Sequence, residues 1–336
     1  MLTDPTEDMA GQEEMAADER SGARLSVVIV TYRNEAEIAG CLAAVLAGAP
    51  GIPTEVIVVD NASDDNTTRV ARSAASAAKI IERAVNGGFG DGCRVGASVA
   101  NGHWLLFLNP DAIIGARTIE ELLACARRQT SAGIIGGRFV HEDGTDDPRS
   151  WWGRLSFWSA LCFALGLNSL FPANAIFDPE SSRPWSGDSD EERAVPVVSG
   201  ALMLVRRTVW DQLDGFDPVF FLYGEDADFC MRAAALGWRP RVTARAVCLH
   251  LGGRSSSSNM KMLMLFKGKC TIVRRHFPRG LRGVGINLLV TGVFIRAAAG
   301  QVLGAASAAR QGRPTTRAED WRFLWTARDQ WRRGWV

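Results

Sequence analysis

The fold is decided in residues 25–60, LSVVIVTYRNEAEIAGCLAAVLAGAPGIPTEVIVVD. Two runs within it, Leu25–Thr31 and Thr54–Asp60, are rich in β-branched residues and apolar almost throughout, which is typical of strands buried on both faces. Asn34 is a candidate N-cap for a helix between them, over residues 35–47. A strand, a helix and a second buried strand predict a βαβ unit, and therefore a parallel sheet.

The alternation of strand and helix continues along the chain. Ser63 or Asp64 is a candidate cap for a second helix that runs to residue 78. Further strands are predicted over residues 79–84, 103–108, 132–140, 195–206 (with an internal turn) and 239–249, and further helices up to residue 100, over 118–129, over 226–236 and in the C-terminal region. No internal repeat is visible. We expect an α/β domain with a mixed, mainly parallel sheet flanked by helices, followed by a C-terminal helical appendage.

Charge is distributed unevenly, although the 336 residues carry a net charge of only +1. The first 20 residues hold seven acids and one Arg, which predicts a disordered acidic tail rather than a signal peptide. From Arg274 to the end there are twelve Arg and three acids. This basic end suits an anionic membrane leaflet, but solvated helix faces have the same composition. No recognisable nucleic-acid-binding module accompanies it, so we expect no nucleic-acid partner.

The Cys pattern and the apolar stretches further narrow the class of protein. The seven Cys show no CxxC spacing, so neither a disulfide framework nor a zinc site is expected, and a reducing cytoplasm fits. Residues 155–177 are apolar but interrupted by Asn and Pro, and the apolar run over 283–295 is shorter than the roughly 20 residues that a membrane span needs. Either stretch could instead lie in a membrane interface.

Polar residues follow several predicted strands at the point where each strand ends. They are Thr31, Asp60, Asn86 and Asp111. Because ligands of parallel sheets bind at the carboxyl ends of the strands, these residues predict one crevice. In Asn109-Pro110-Asp111 a carboxylate beside a rigid turn could hold Mg²⁺ or Mn²⁺, although an ordinary capped turn has the same residues.

The segment over residues 220–232, FFLYGEDADFCMR, places three carboxylates beside aromatic residues. Partial desolvation there would raise a carboxyl pKa and suit it to general-base catalysis. Asp228 and Arg232 are spaced i, i+4, so we expect them to pair and leave Asp226 for chemistry. His250 at a strand end is a candidate metal ligand or a structural residue. The GGRSSSS segment after it, with Arg254, could be a loop that closes on phosphates or a plain linker.

The glycine-rich turn NGGFGDG, residues 86–92, follows the third predicted strand. Its glycines do not complete the GxGxxG pattern of dinucleotide-binding proteins. We expect them to let the backbone approach a ligand or a neighbouring element closely.

Taken in order, these motifs resemble the family 2 inverting glycosyltransferases with the GT-A fold, and especially the bacterial rhamnosyltransferase-like branch that builds cell-surface polysaccharide. The matching segments are SVVIVTYRNE (26–35), EVIVVDNASDD (55–65), NGGFGDGCRVG (86–96), LLFLNPDA (105–112), VSGALMLVRR (198–207), GFDPVFFLYGEDADFCMR (215–232), GWRPRV (237–242) and the segment around His250. The resemblance implies transfer of a sugar from a nucleotide-diphosphate donor, such as dTDP-rhamnose, to a hydroxyl of a lipid-linked or polysaccharide acceptor.

The resemblance also implies roles for individual residues. Asp226 matches the catalytic base. Asp111 matches the chief carboxylate ligand of Mg²⁺ or Mn²⁺, in a motif whose first Asp is here Asn109, and His250 would be a second ligand. The donor-binding set comprises Thr31, Tyr32, Glu35, Asp60, Asn86, Gly88, Asn109, Asp111 and Arg254, and the acceptor-side set comprises Ser199, Gly200, Tyr223 and Glu225.

The domain organisation follows from the same comparison of motifs. We expect an acidic tail over 1–23, a catalytic domain over 24–258 and a helical, membrane-associating region over 259–336. The domain divides into a nucleotide-sugar half (24–140) and an acceptor half (141–258). The expected location is cytoplasmic, peripheral on the inner face of the cell membrane, and a homodimer is left open. A nucleotidyltransferase and a non-catalytic sugar- or nucleotide-binding partner are the alternatives.

Overall fold

The computed structural model describes residues 24–185, 187, 191–250, 258–311 and 316–336. The strands are β1 (Leu25–Thr31), β2 (Thr54–Asp60), β3 (Lys79–Glu82), β4 (Trp104–Leu108), β5 (Ala112–Ile114), β6 (Ile134–Val140), β7 (Trp151–Trp152), β8 (Glu192–Ala194), β9 (Val197–Val198), β10 (Leu202–Arg206) and β11 (Arg241–His250). The helices are α1 (Ile38–Ala47), α2 (Thr67–Ala74), α3 (Phe89–Ser98), α4 (Thr118–Arg128), α5 (Phe157–Ala164), α6 (Leu167–Leu170), α7 (Arg207–Gln212), α8 (Glu225–Ala235), α9 (Ser258–His276), α10 (Arg282–Gln311), α11 (Thr316–Thr326) and α12 (Arg328–Trp331).

Nine of the described strands form one mixed sheet in the order β3-β2-β1-β4-β10-β6-β11-β5, with β8 paired to β11. Strands β1 to β4 are mutually parallel, β10 runs antiparallel between β4 and β6, and β11 is parallel to β6. Strands β7 and β9 make a separate two-stranded sheet. The mainly parallel α/β fold expected from the sequence is confirmed.

The sheet is covered on both faces because alternate residues of each strand point to opposite sides. Val27 and Ile29 of β1 lie in one core, packed under α1 and α4. Val28 and Val30 lie in the other core, with α3 and α8. All four side chains are buried, which explains why the strand sequence is apolar without alternation.

Two of the expected helices begin later than the cap residues suggested. Helix α1 begins at Ile38, because the Asn34 side chain accepts a hydrogen bond from the Tyr32 backbone N–H (3.0 Å) instead of capping. Helix α2 begins at Thr67, since the Ser63 hydroxyl donates to the Asp60 carboxylate. In both cases local side-chain bonds hold the residues after the strand in a loop, in competition with the helix.

The C-terminal helices α9 to α12 pack together over a third core. The apolar run over residues 283–295, which the sequence analysis judged too short to span a membrane, lies within a longer helix. Helix α10 is 30 residues long, and among the described helices the stretch Arg279–Gly300 is long and apolar enough, by length and composition alone, to cross one. All seven Cys are free and buried, as expected for small core residues.

Candidate active site

The sheet topology places the polar residues that end the strands on one edge. Strands β1, β2, β4, β6 and β11 share a direction, so their carboxyl ends meet there. Antiparallel β10 begins at the same edge, since Leu202 pairs with Leu108 at the end of β4. The segments after β1, β2, β4 and β6, the segment before β10 and the end of β11 therefore meet at one edge, where α/β sheets usually bind ligands.

The first part of this edge is a buried polar pair. The Thr31 hydroxyl at the end of β1 donates to the Asp60 carboxylate at the end of β2 over 2.9 Å. Both residues are buried. The Glu35 carboxylate accepts hydrogen bonds from the backbone N–H and side-chain amide of Asn66, at 3.1 and 3.0 Å. These contacts join the loops after β1 and β2 into one rigid wall, of which Tyr32 is a half-buried member.

The glycine-rich turn ties this wall to the opposite half of the domain. Gly88 has φ +88°, and a Cβ there would lie 1.9 Å from the carbonyl oxygen of Phe221. The backbone N–H of Phe89 donates to that carbonyl (3.0 Å), and the Asn86 side chain accepts from the Gly88 N–H (2.9 Å). A side chain at position 88 would strain the backbone and break this close contact. The glycines thus approach a neighbouring element, one of the two expected roles.

The backbone before α8 is held in a sparsely populated conformation. Tyr223 has φ +67° and Gly224 has φ +104°. A non-glycine residue in this region costs free energy and is found preferentially at functional sites. The turn delivers Glu225 and Asp226 at the N-terminus of α8, with Gly224 packed on Phe220.

Glu225 and Asp226 are coupled carboxyls with different environments. Glu225 is only 4% exposed, and its Oε2 has no hydrogen-bond partner among the described residues. Burial, and then the charge of Asp226, raise its pKa to about 8. Asp226 is less enclosed and accepts hydrogen bonds from the backbone N–H groups of Gly200 (3.2 Å) and Ala227 (2.8 Å). Burial raises its pKa to about 6. Of the two carboxyls, Asp226 therefore ionises more readily, because backbone N–H groups donate to its carboxylate.

Asp228, one turn into α8, is fully buried in an ion-pair network. Its carboxylate accepts from Arg232 over 2.6 Å and lies 2.8 Å from the His276 ring. Although burial opposes ionisation, His276 and Arg232 hold the pKa of Asp228 below its usual value. The expected pairing of Asp228 with Arg232 is confirmed.

Strand β5 brings a second pair of chemical groups together. Ala112 pairs with His250 of β11, so the preceding residue, Asp111, lies beside the imidazole. The His250 Nε2 is 3.7 Å from an Asp111 carboxylate oxygen, and neither ring nitrogen has a hydrogen-bond partner among the described residues. Burial lowers the pKa of His250, although the charge of Asp111 opposes this effect. The lowered pKa favours the neutral imidazole. Asn109 helps to fix the turn, since its backbone carbonyl accepts from the Ala112 N–H.

The sequence analysis did not single out two residues near the Asp111–His250 pair, Asp147 and Arg149. Asp147, which follows β6, is buried, and its carboxylate lies 3.7 Å from the His250 Nδ1. It accepts from the Arg149 side chain at 2.8 and 2.9 Å. Although burial opposes ionisation, Arg149 holds the pKa of Asp147 below its usual value. The signal was an Asp-Pro-Arg run at a strand end, the same kind of signal that singled out Asp111.

Tyr223 lies near both groups of carboxylates. Burial raises its pKa first, and the charges of Glu225, Asp111 and Asp226 raise it further, while Arg149 opposes them. A phenol that responds to all these charges is close to the Asp111–His250 pair and to the carboxyls of α8. The structure therefore brings the residues predicted as metal ligands and the residue predicted as base into one neighbourhood.

The remaining predicted residues have simple placements. Ser199 is buried, and its backbone N–H donates to Ser150. Gly200 lies against Phe89 and Asp226, with a hypothetical Cβ 3.2 and 3.6 Å away. Arg254 and the acidic tail over 1–23 fall outside the described residues. Among the described residues, no group of three or more His, Cys, Asp and Glu is arranged to hold a metal ion.

Comparison with known proteins identifies the class. A family model described as glycosyl transferase family 2 matches residues 26–181, and one described as glycosyl transferase family group 2 matches residues 189–333. The chain is 28% identical over 246 residues to an N-acetylglucosaminyl-diphospho-decaprenol L-rhamnosyltransferase of Mycobacterium tuberculosis, covering 67% of this chain and 75% of that protein. It is 25% identical over 213 residues to a low-salt glycan biosynthesis hexosyltransferase of Haloferax volcanii, covering 62% and 61%.

A solved structure supports the fold. A mannosyltransferase from Pyrobaculum calidifontis, in complex with GDP-Man and Mn²⁺, superposes with a TM-score of 0.58 at 17% identity, covering 96% of this chain and 94% of that one. Fold, site and family models together define a glycosyltransferase of the GT-A type. These similarities support a family 2 glycosyltransferase that is rhamnosyltransferase-like. The prediction of a glycosyltransferase is confirmed over its two alternatives.

Proposed function

We propose that the enzyme transfers a sugar, with inversion, from a nucleotide-diphosphate donor to a hydroxyl of a lipid-linked glycan acceptor. One observation carries the proposal: Asp226 and the Asp111–His250 pair both lie near Tyr223 at the carboxyl edge of the sheet. A base on one side and a charge-neutralising corner on the other are the two elements that a single displacement at an anomeric carbon needs.

Asp226 is the base in this proposal, and Glu225 is not. A pKa of about 6 leaves Asp226 ionised and basic near pH 7, whereas a pKa of about 8 keeps Glu225 protonated. The acceptor O–H proton passes to the Asp226 carboxylate as the acceptor oxygen bonds to the anomeric carbon. The bond from that carbon to the donor phosphate oxygen breaks, and the electron pair leaves with the nucleoside diphosphate. The Gly200 N–H holds the carboxylate in place.

The residues at the Asp111 corner fit a divalent cation. An unpartnered, buried imidazole nitrogen beside a carboxylate is a suitable pair of protein ligands for Mn²⁺ or Mg²⁺, which commonly keeps its other positions for phosphate oxygens and water. Such an ion, when bound, offsets the charge on the departing diphosphate. Asp147 and Arg149 frame the same corner, and the Arg149 guanidinium supplies further positive charge there.

The finer assignments rest on the relatives. Rhamnose as the sugar and a lipid-linked diphosphate sugar as the acceptor are supported by the name of the mycobacterial relative. The Pyrobaculum enzyme, with GDP-Man and Mn²⁺, supports a nucleotide-sugar donor and a divalent metal. Thr31, Tyr32, Glu35 and Asp60 form the proposed nucleoside wall, with Asn86 and Gly88 beside it. The proposed location is the cytoplasmic side of the membrane, where nucleotide sugars are made.

A donor screen tests the proposal. The purified chain is incubated with dTDP-rhamnose, UDP-glucose, UDP-N-acetylglucosamine and GDP-mannose, each with Mn²⁺ and a polyprenyl-diphosphate-linked sugar acceptor. We expect one donor to give a nucleoside diphosphate and a glycosylated acceptor of inverted anomeric configuration. A product of retained configuration, or release of pyrophosphate from a nucleoside triphosphate, would contradict the proposal.

A further inference from the structure

An apolar surface outside the active site is concentrated in two segments. Among the described residues sixteen large apolar side chains are exposed, and ten of them lie within residues 157–176 and 281–295. They are Phe157, Trp158, Leu165, Leu170, Phe171, Ile176, Leu281, Val284, Phe294 and Ile295, which we call the apolar face. Single exposed apolar residues are ordinary, but a concentration of this kind marks an interaction surface.

The two segments are parts of one rigid surface. The Arg296 guanidinium of α10 donates to the Phe163 carbonyl (2.7 Å) and to the Asn168 side chain (2.6 Å). Gly292 permits close packing, since a Cβ there would lie 2.4 Å from the Phe163 ring. The Trp158 indole N–H donates to the Ile176 carbonyl over 2.7 Å and fixes the loop after α6. These contacts hold the apolar face in shape without an added partner.

Helix α10 supplies one side of the face as a continuous stripe. Its exposed positions Val284, Asn287, Thr291, Phe294 and Ile295 recur at helical spacing. In the apolar stretch Arg279–Gly300 only 28% is buried. The exposed apolar side chains of this stretch make unfavourable contact with water, so a second apolar phase on that side stabilises the helix.

The distribution of charge indicates which kind of apolar phase contacts the apolar face. Residues 229–318 contain sixteen Lys and Arg and no Asp or Glu. Arg154, just before α5, and Arg279, just before α10, are exposed at the ends of the two segments. A second copy of the chain packed on the apolar face would bring these Arg side chains near cationic groups of its own kind, with like charges facing each other. An anionic lipid surface supplies the opposite charge and an apolar interior together.

We propose that the apolar face docks on an anionic lipid bilayer, lying in the interface rather than crossing it. Arg296 lies within the apolar stretch and is engaged with Phe163 and Asn168, so α10 remains attached to α5. The apolar face largely coincides with the stretches over residues 155–177 and 283–295 that the sequence indicated, whereas Trp331 of the predicted membrane-associating region is buried in the protein. The proposal does not depend on the donor, the metal or the base.

A vesicle-binding experiment with matched variants tests this docking. The full chain is mixed with vesicles of phosphatidylcholine, with or without phosphatidylglycerol, and bound protein is separated by flotation. The double variant Leu165→Glu/Leu170→Glu changes exposed residues of the apolar face, and Leu46→Glu/Leu236→Glu changes similarly exposed leucines elsewhere. We expect binding only with phosphatidylglycerol, weakened by salt, and reduced at least about tenfold by the first double variant alone. Arg154→Gln and Arg279→Gln should each weaken binding about fivefold.

Three results would overturn the proposal. Equal binding of the two double variants, with both folded by circular dichroism, would show that the apolar face does not contact lipid. No vesicle binding together with dimerisation that Leu165→Glu/Leu170→Glu abolishes would assign the face to a second copy. Retention in native membranes after alkaline carbonate washing would show that α10 crosses the bilayer.

Discussion

Asp226→Asn should abolish transfer and yet stabilise the protein. The raised pKa of Asp226, about 6 against an ordinary 3.8, means that the fold disfavours the ionised carboxylate that the reaction needs. One pKa unit corresponds to about 1.4 kcal/mol, so at pH 8 the neutral amide should avoid a cost of about 1–3 kcal/mol, part of which is shared with Glu225. Transfer should fall roughly 100- to 10,000-fold, as for loss of a general base.

The size of the stability change depends on pH. Because the folded-state pKa is raised, Asp226 contributes a destabilisation that grows as pH rises from about 4 to about 6 and is constant above. The gain from Asp226→Asn should therefore be present at pH 8 and absent near pH 4. It is measured as the free energy of unfolding by urea at the two pH values.

Asp228→Asn, on the same helix, is the matched control. Its carboxylate is ionised and paired with Arg232 and His276, so the amide leaves cations unpaired and should destabilise the protein by about 3–5 kcal/mol. Opposite signs at two positions two residues apart on one helix separate a strained functional carboxylate from a structural one. An Asp226→Asn protein that is less stable at pH 8, or that keeps more than about a tenth of wild-type turnover, would refute the assignment.

Three further outcomes are expected. Asp111→Ala should weaken binding of the nucleoside diphosphate roughly 10- to 100-fold in the presence of Mn²⁺ and not after chelation, as measured by calorimetry, and activity that survives exhaustive chelation would contradict the metal site. Turnover should rise with pH and level off above about pH 6, the pKa of Asp226, whereas a profile that is flat from pH 5 to 8 would argue against a base there. Gly88→Ala should lower the unfolding free energy by roughly 2–4 kcal/mol, because its Cβ meets Phe221 and its φ is positive, and an unchanged thermal midpoint would show that the turn can move.

Local sequence determined the N-terminal strands and several of the candidate site residues. The bounds of β1 and β2 agree with the apolar runs Leu25–Thr31 and Thr54–Asp60, because a strand buried on both faces needs a continuous apolar run. Asp226 and Asp111 could be singled out because each follows a turn or strand end whose residues are local in sequence. The pairing of Asp228 with Arg232 was equally local, as both lie on one face of a helix.

Tertiary structure decided what depends on contacts between distant segments. The three residues of β5 carry no clear strand pattern, yet their pairing with β11 brings Asp111 to His250 across 139 positions of sequence. Which of Glu225 and Asp226 is ionised depends on how deeply each is buried beside Gly90 and Gly200. The sequence also did not decide whether a Trp or Leu near the C-terminus faces the core or the solvent. Helices α9 to α12 are apolar on more than one face, and only their packing selects the face that is exposed.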